Sequence, residues 1–440
     1  MGTTRSLGLA WTGARGVVLG LTILVVAGGC GDGGRGDGTP VSGHNSRASM
    51  DDPSLQTVLD DLLSGDETRR ITAVASLPAY GAEAAAALGA CLRVSKDEDE
   101  ITAISQALLS LGPIGEAGVP DLVAALWGAD RNGQYAARDA LAKFGEPAAR
   151  ALTAALDAER HRAVLAAITL GRFPAFPGVC VPALVHALDS PDEGVRHSAA
   201  GSLKVFKEHA APATPRLIEL LEDTEVMWTA SESLAQIGPS AVPALTEALD
   251  AGGKWSKVFG AKALAGIGPP ARAAVPALLR LQRDPMSGVR TSALEALACI
   301  LPAADAVPLL LAALRETGNP GLQGAAAESL RGMGAAAAGA VPELRAAMRA
   351  GDWYVRLRAA HAVLVIDVSD TEGIDVLAGA LGSRSSFDQG QAADRLGSLG
   401  ARAVSAVPAL RAYVAAGCDG TSCVHATRAL ADIQSHADEK

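Results

Sequence analysis

One short phrase containing a proline returns through most of this chain: GVPDLVAAL, CVPALVHALD, AVPALTEALD, AVPALLRL, AVPLLLAAL, AVPELRAAM and AVPALRAYV. The prolines at its head are Pro120, Pro182, Pro215, Pro243, Pro276, Pro308, Pro342 and Pro408, separated by 62, 33, 28, 33, 32, 34 and 66 residues. The two long gaps each span two units. Degenerate copies fill them at Arg150-Ala151-Leu152 and Ile374-Asp375-Val376-Leu377, and two more copies precede the first proline, around 55–63 and 82–92. The result is about twelve units of ~33 residues, a period that signals stacked repeats and not a single globular core.

Each unit reads as two helices. In the first, Val242, Leu245 and Leu249 fall at i, i+3 and i+7, on one face. The proline belongs in the first turn, where a missing N–H costs nothing. In the second, the apolar column is Ala230, Leu234, Ile237. It recurs as Ala137, Leu141, Phe144; as Gly260, Leu264, Ile267; as Ala293, Leu297, Ile300; and as Ala326, Leu330, Met333. A glycine follows most columns, at Gly81, Gly112, Gly145, Gly238, Gly268, Gly334 and Gly400. There it is expected to end the helix in a left-handed conformation. A lone helix pair cannot bury both of its apolar stripes, so each unit must lean on its neighbours.

Composition agrees. Hydrophobic residues make up 49% of the 440 residues but aromatics only 3%, so the core must be Ala, Leu and Val packed helix on helix. No alternating strand run is found. The net charge of −10, with no basic block, argues against a nucleic-acid partner.

The pattern GxxAVPxLxxALxD, followed by VRxxAAxAL and a closing glycine, resembles the HEAT-like repeats of the phycobilisome-lyase type. Val195-Arg196-His197-Ser198-Ala199-Ala200 and Val289-Arg290-Thr291-Ser292-Ala293 match it best. The resemblance covers residues 54–440 and implies an all-α, right-handed α-α superhelix, a HEAT-like α-solenoid. It implies little about function, because scaffolds, chaperone-like lyases and a di-iron hydroxylase share this fold. The hydroxylase holds its metal with His-Glu pairs, and no His-Glu dipeptide occurs here.

The first residues, MGTTRSLGLAWTGARGVVLGLTILVVAGGC, have the parts of an export signal: Arg5 and Arg15, an apolar Val17–Ala27, then Gly28 and Gly29. That apolar stretch falls short of the ~20 residues a spanning helix needs. Residues 1–29 are expected to be a signal peptide, and 30–53 a Gly-rich tether with a reach of about 25 Å. Cys30 at the junction resembles the lipidated cysteine of bacterial lipoproteins; ordinary secretory cleavage near Gly29 is the alternative. Lipidation would place the protein in the cell envelope, anchored to a membrane on the exported side.

Four features remain as candidate sites. Cys418 and Cys423 flank the turn dipeptide Asp419-Gly420. They would close a disulfide in an oxidising compartment or, with His425, contribute to a metal site. Cys91, Cys180 and Cys299 read as buried small residues. Arg70, Arg196, Arg290 and Arg356 share one early position in the second helix, interrupted by Gln134, Met227 and Lys257. They would form a basic strip or, as the better reading, bind loop carboxylates and carbonyls between units. Finally, Tyr135, Trp228, Trp255, Trp353 and Tyr354 cluster near starts of second helices. They would anchor a protein or peptide partner along the inner face or, alternatively, cap the rim of an alanine-rich core. No nucleophile constellation, cofactor motif or metal set is evident, so the expectation is a non-catalytic binding scaffold; the alternatives are a HEAT-repeat enzyme of lyase-like or metal-dependent hydroxylase type, or a purely structural envelope spacer.

Overall fold

The computed structural model describes residues 54–438, apart from Lys96, Ala129, Asp130, Arg384 and Asp419. The export signal, Cys30 and the tether lie outside the described residues.

Among the described residues, twelve helix pairs follow one another. The first four are α1 (Leu55–Leu62) with α2 (Glu67–Ser76), α3 (Gly81–Val94) with α4 (Glu98–Ser110), α5 (Val119–Gly128) with α6 (Arg131–Phe144), and α7 (Glu146–Thr153) with α8 (Arg160–Leu170). Next come α9 (Pro177–Ala187) with α10 (Glu193–Leu203), α11 (Thr214–Glu219) with α12 (Met227–Ile237), α13 (Val242–Ala251) with α14 (Lys254–Ile267), and α15 (Val275–Leu281) with α16 (Ser287–Ile300). The last four are α17 (Ala303–Arg315) with α18 (Pro320–Met333), α19 (Val341–Ala350) with α20 (Trp353–Ile366), α21 (Glu372–Ala380) with α22 (Ser386–Ser398), and α23 (Val407–Ala415) with α24 (Gly420–Asp438). Odd helices pack on odd and even on even, as in α3 on α5 and α14 on α16, while each pair also packs internally. The chain therefore builds two parallel rows of helices, with the core between them.

Burial follows the sequence columns. Leu234, Leu264, Leu297 and Leu330 on the even row, and Leu245, Leu278 and Leu344 on the odd row, are fully or almost fully buried. The even helices are rich in Ala, Gly and Ser, which lets their backbones approach closely. Ser202 Oγ donates to the Ala167 carbonyl at 2.8 Å, and Ser233 Oγ to the Ala200 carbonyl at 2.6 Å, each reaching one unit back. Such bonds stabilise by about 1 kcal/mol each and also satisfy hydroxyls that would be costly to bury alone.

Many even helices start at a capping side chain, including Asp66, Asp97, Asp192, Asn319 and Asp352, whose oxygens accept N–H groups of the first turn. Between many units the chain runs through a short 3-10 segment, such as Gly238–Ala241 or Pro269–Ala274, before the odd helix begins. Pro120, Pro215, Pro243, Pro276, Pro342 and Pro408 occupy first turns, as expected. Pro182 and Pro308 do not. In those two units the connecting segment winds as α-helix and the proline falls inside it.

The glycine stops need a correction. All seven have positive φ. Where ψ is known it is strongly negative: Gly81 is at φ 53°, ψ −125°, Gly145 at 66°, −132°, and Gly238 at 81°, −144°. This is not the left-handed helical basin but the mirror of the extended region, near the first central position of a type II′ turn. Residues with a Cβ are strained there more severely than in the left-handed helix. One unit breaks the rule. After Phe206, which occupies the position of Ile237, the stop is Lys207 at φ 50°, ψ −129°.

Candidate partner-binding surface

The residues expected to form a site sit on the even row, at the starts of helices. Tyr135, Trp228 and Trp353 are 52%, 57% and 45% exposed, although the chain is poor in aromatics. Trp228 packs edge-on to Phe259 of α14 with centroids 5.6 Å apart, and Trp255 lies 6.0 Å from the same ring. Lys262 Nζ stands 4.5 Å above the Trp228 ring, and Lys254 Nζ 4.1 Å above Trp255. The Trp228 indole N–H donates to Glu232 at 3.1 Å. Trp353 and Tyr354 form a second edge-on pair at 5.8 Å, with Arg358 stacked 4.4 Å over Tyr354. Tyr135 stands apart, with Arg138 over its ring.

The structure therefore joins Trp228 with Trp255, and Trp353 with Tyr354, but not the two groups with each other or with Tyr135. Phe259, the hub of the first group, was missed from sequence because it reads as a core residue. Its signal would have been its place one turn along α14 from Trp255. Trp353 also lines a cleft of about 500 Å³ bounded by α20, α21 and α22, together with Leu357, Val376 and Asp388.

Three members of the arginine series, Arg196, Arg290 and Arg356, make structural contacts. Arg196 grips Asp223 at 2.7 Å and the carbonyls of Ser190 and Pro191, and Arg290 holds Glu316 at 3.2 Å and the carbonyl of Asp284. Arg356 donates to the Met348 carbonyl. The acidic partners belong to the following unit, not to the loop just upstream; Asp189 pairs instead with Arg216. Lys257 does not interrupt the series, since it reaches Asp284 at 3.1 Å in the same way.

Cys418 and Cys423 stand at disulfide distance, with Cα atoms 5.2 Å apart at the α23–α24 junction. His425 turns from them to Asp394 on α22, with Nδ1 2.6 Å from Oδ1. Cys180 is buried, which pushes its thiol up to about 11. Cys91 is half-buried, whereas Cys299 is exposed, contrary to expectation: it falls on the solvent side of the last turn of α16. Among the described residues no group of three or more His, Cys, Asp or Glu side chains is arranged to hold a metal.

A second set of charges was not foreseen. Arg331 on α18 and Arg358 on α20 pair with one carboxylate, Glu328, and Arg395 on α22 lies within electrostatic reach of it. Arg331 Nε donates to it at 2.8 Å, and Arg358 Nη1 lies 3.7 Å away. Burial alone would raise Glu328, but Arg331, Arg358 and Arg395 outweigh it and hold the carboxyl below its ordinary value. Burial, aided by Arg395 and Arg331, holds the adjacent His361 down at about 4.

A family model described as HEAT repeats matches residues 181–258 and 254–331. A search of curated proteins found no match. Among solved structures, an engineered protein is similar at 24% identity, covering 86% of this chain and 98% of its own, with a TM-score of 0.31. An importin beta is 15% identical, covering 88% of this chain and 65% of its own, with a TM-score of 0.46. Yeast importin-beta is 12% identical, covering 87% and 60%, with a TM-score of 0.49. The chain thus spans less than two thirds of either importin chain, and the fold assignment rests on the helix pairs and the family model. The matched repeats, continued by like helix pairs on both sides, give this chain the fold of a HEAT-like α-solenoid.

Proposed function

We propose that this protein is an exported, lipid-anchored scaffold that binds a protein or peptide partner along its even helix row, without a chemical step. The observation that carries this reading is the exposure of Trp228, Tyr135 and Trp353 on that one row of an otherwise aromatic-poor molecule. Large exposed rings beside cations are the anchors that desolvated interfaces use. A repeat array adds several weak contacts in series, so binding is multivalent. The oxidised pair Cys418–Cys423 staples the last unit in this reading, consistent with an oxidising compartment.

Photo-crosslinking side chains placed at positions 228 and 353 in the native envelope test the surface. Capture of one defined protein is expected; uniform background at both positions refutes the proposal. Export and anchoring are tested separately by Cys30→Ser. It is expected to move the folded body from the membrane to the soluble fraction, and retention in the membrane fraction would refute lipidation at Cys30.

A further inference from the structure

The scaffold reading leaves the chemistry of the partner open, and the guanidinium cluster on α18, α20 and α22 bears on it. The molecule carries a net charge of −10. Yet Arg331 and Arg358 share a single carboxylate, Glu328, and Arg395 on the next even helix lies within electrostatic reach of all three groups. The other acids nearby do not neutralise the surplus. Glu295 feels both Lys262 and Arg358, so this second carboxylate is shared with a further cation. His361, in the middle, is uncharged at neutral pH.

Each guanidinium is also fixed before any ligand arrives. Arg331 is held by Glu328. Arg358 is stacked on Tyr354. Arg395 donates to the Gln391 carbonyl at 3.1 Å and to its side-chain oxygen at 2.6 Å. All three remain part-exposed. Pre-positioned, partly desolvated guanidinium groups form strong, directional bonds to carboxylates, because the ordering cost is already met.

We propose that Arg331, Arg358 and Arg395 form a docking site on the even row for an acidic segment of a partner polypeptide, whose Asp or Glu carboxylates bridge neighbouring units. Charge complementarity selects this occupant: a locally cationic strip on an acidic body repels basic chains and offers forks matched to carboxylates. The inference rests on the scaffold reading for its biological meaning, but its test needs no native partner.

The test is fluorescence anisotropy with the full chain and a labelled peptide alternating Glu and Gly, against Gln–Gly and Lys–Gly counterparts. The Glu peptide is expected to bind, the other two not, and binding should weaken as salt rises. Arg331→Gln, Arg358→Gln and Arg395→Gln are each expected to weaken it about tenfold, as loss of a charge-assisted bond implies. Arg280→Gln, whose guanidinium pairs with Asp250 on the odd row, should leave it unchanged. Arg358→Lys keeps the charge and should lose less than Arg358→Gln, so a folding defect is separable from a lost contact. Equal affinity for the Glu and Gln peptides, or an equal loss in Arg280→Gln, overturns the proposal. So does a result in which the three variants abolish binding to phosphatidylglycerol vesicles but not to the peptide. Failed crosslinking at 228 and 353 with peptide binding intact would sink the aromatic surface and leave this site standing.

Discussion

Lys207 occupies a backbone conformation that the chain otherwise gives to glycine: seven equivalent helix stops have positive φ, and Gly81, Gly145, Gly238, Gly268 and Gly334 share its strongly negative ψ. At φ 50°, ψ −129° a Cβ is strained against the flanking peptide groups, at a cost of about 1–3 kcal/mol. Replacing lysine by glycine removes that strain but adds ~0.5–1 kcal/mol of unfolded-chain entropy. The Lys207 side chain is exposed, with no ion pair among the described residues, so little else is lost. Lys207→Gly should therefore stabilise the sixth unit by about 1 kcal/mol net. The mirror experiment is Gly238→Ala. A Cβ built there meets nothing within 4 Å, so its cost is conformational alone, and a loss of about 1–2 kcal/mol is expected. Repeat arrays need not unfold in one step, so the readout should be local. Hydrogen exchange of amides in α10 and α12 should slow in Lys207→Gly and quicken in Gly238→Ala, and the urea midpoints should move in the same directions. Unchanged or faster exchange in Lys207→Gly, together with no loss in Gly238→Ala, would refute the claim that the stop conformation is strained for residues with a Cβ.

Two further predictions concern stability. Burial, with Arg395 and Arg331 beside it, keeps His361 neutral to about pH 4 in the fold, whereas the unfolded chain protonates it near 6.5. The unfolded state therefore binds more protons between those values, and stability falls as pH drops from ~6.5 to ~4. His361→Gln should flatten that fall by roughly 2 kcal/mol, discounted for partial exposure, as read from urea midpoints across the pH range; an unaltered slope would show that His361 is not the group responsible. The Cys418→Ser/Cys423→Ser double variant should lower the stability of the α23–α24 unit by at most about 2 kcal/mol, given the short loop closed. Exchange confined to the terminal unit measures it, and no difference between the oxidised wild type and the variant would remove the staple from the account.

The period was legible because stacking forces it. Every unit must stop a helix, turn and bury two stripes in the same geometry, so proline, glycine and the Leu column recur at fixed spacing. Hence the pairs from α1 to α24, the buried Leu234, Leu264, Leu297 and Leu330, and the seven glycine stops could all be read in one dimension. What was misread locally had a local cause. The positive φ of Gly238 followed from its place in the unit, but its negative ψ is shared by Gly145, which leads straight into α-helix, and depends on the direction in which the next helix restarts, which no single residue announces.

The site was less legible, because side chains that meet across units are about thirty residues apart and share no motif. The exposed rings of Trp228 and Trp353 could be suspected from their rarity, while Phe259 could not be told from core. Arg196 and Arg290 shared a register and so drew notice, yet they are spent on Asp223 and Glu316. Arg331, Arg358 and Arg395 sit at different positions within their helices, so no periodicity links them. By itself the sequence determined that this chain stacks helix pairs, since apolar spacing and backbone chemistry act within one unit. Only the tertiary structure decided which charges are neutralised and which are left in surplus, because that depends on distances between units and on how much water each pair has lost.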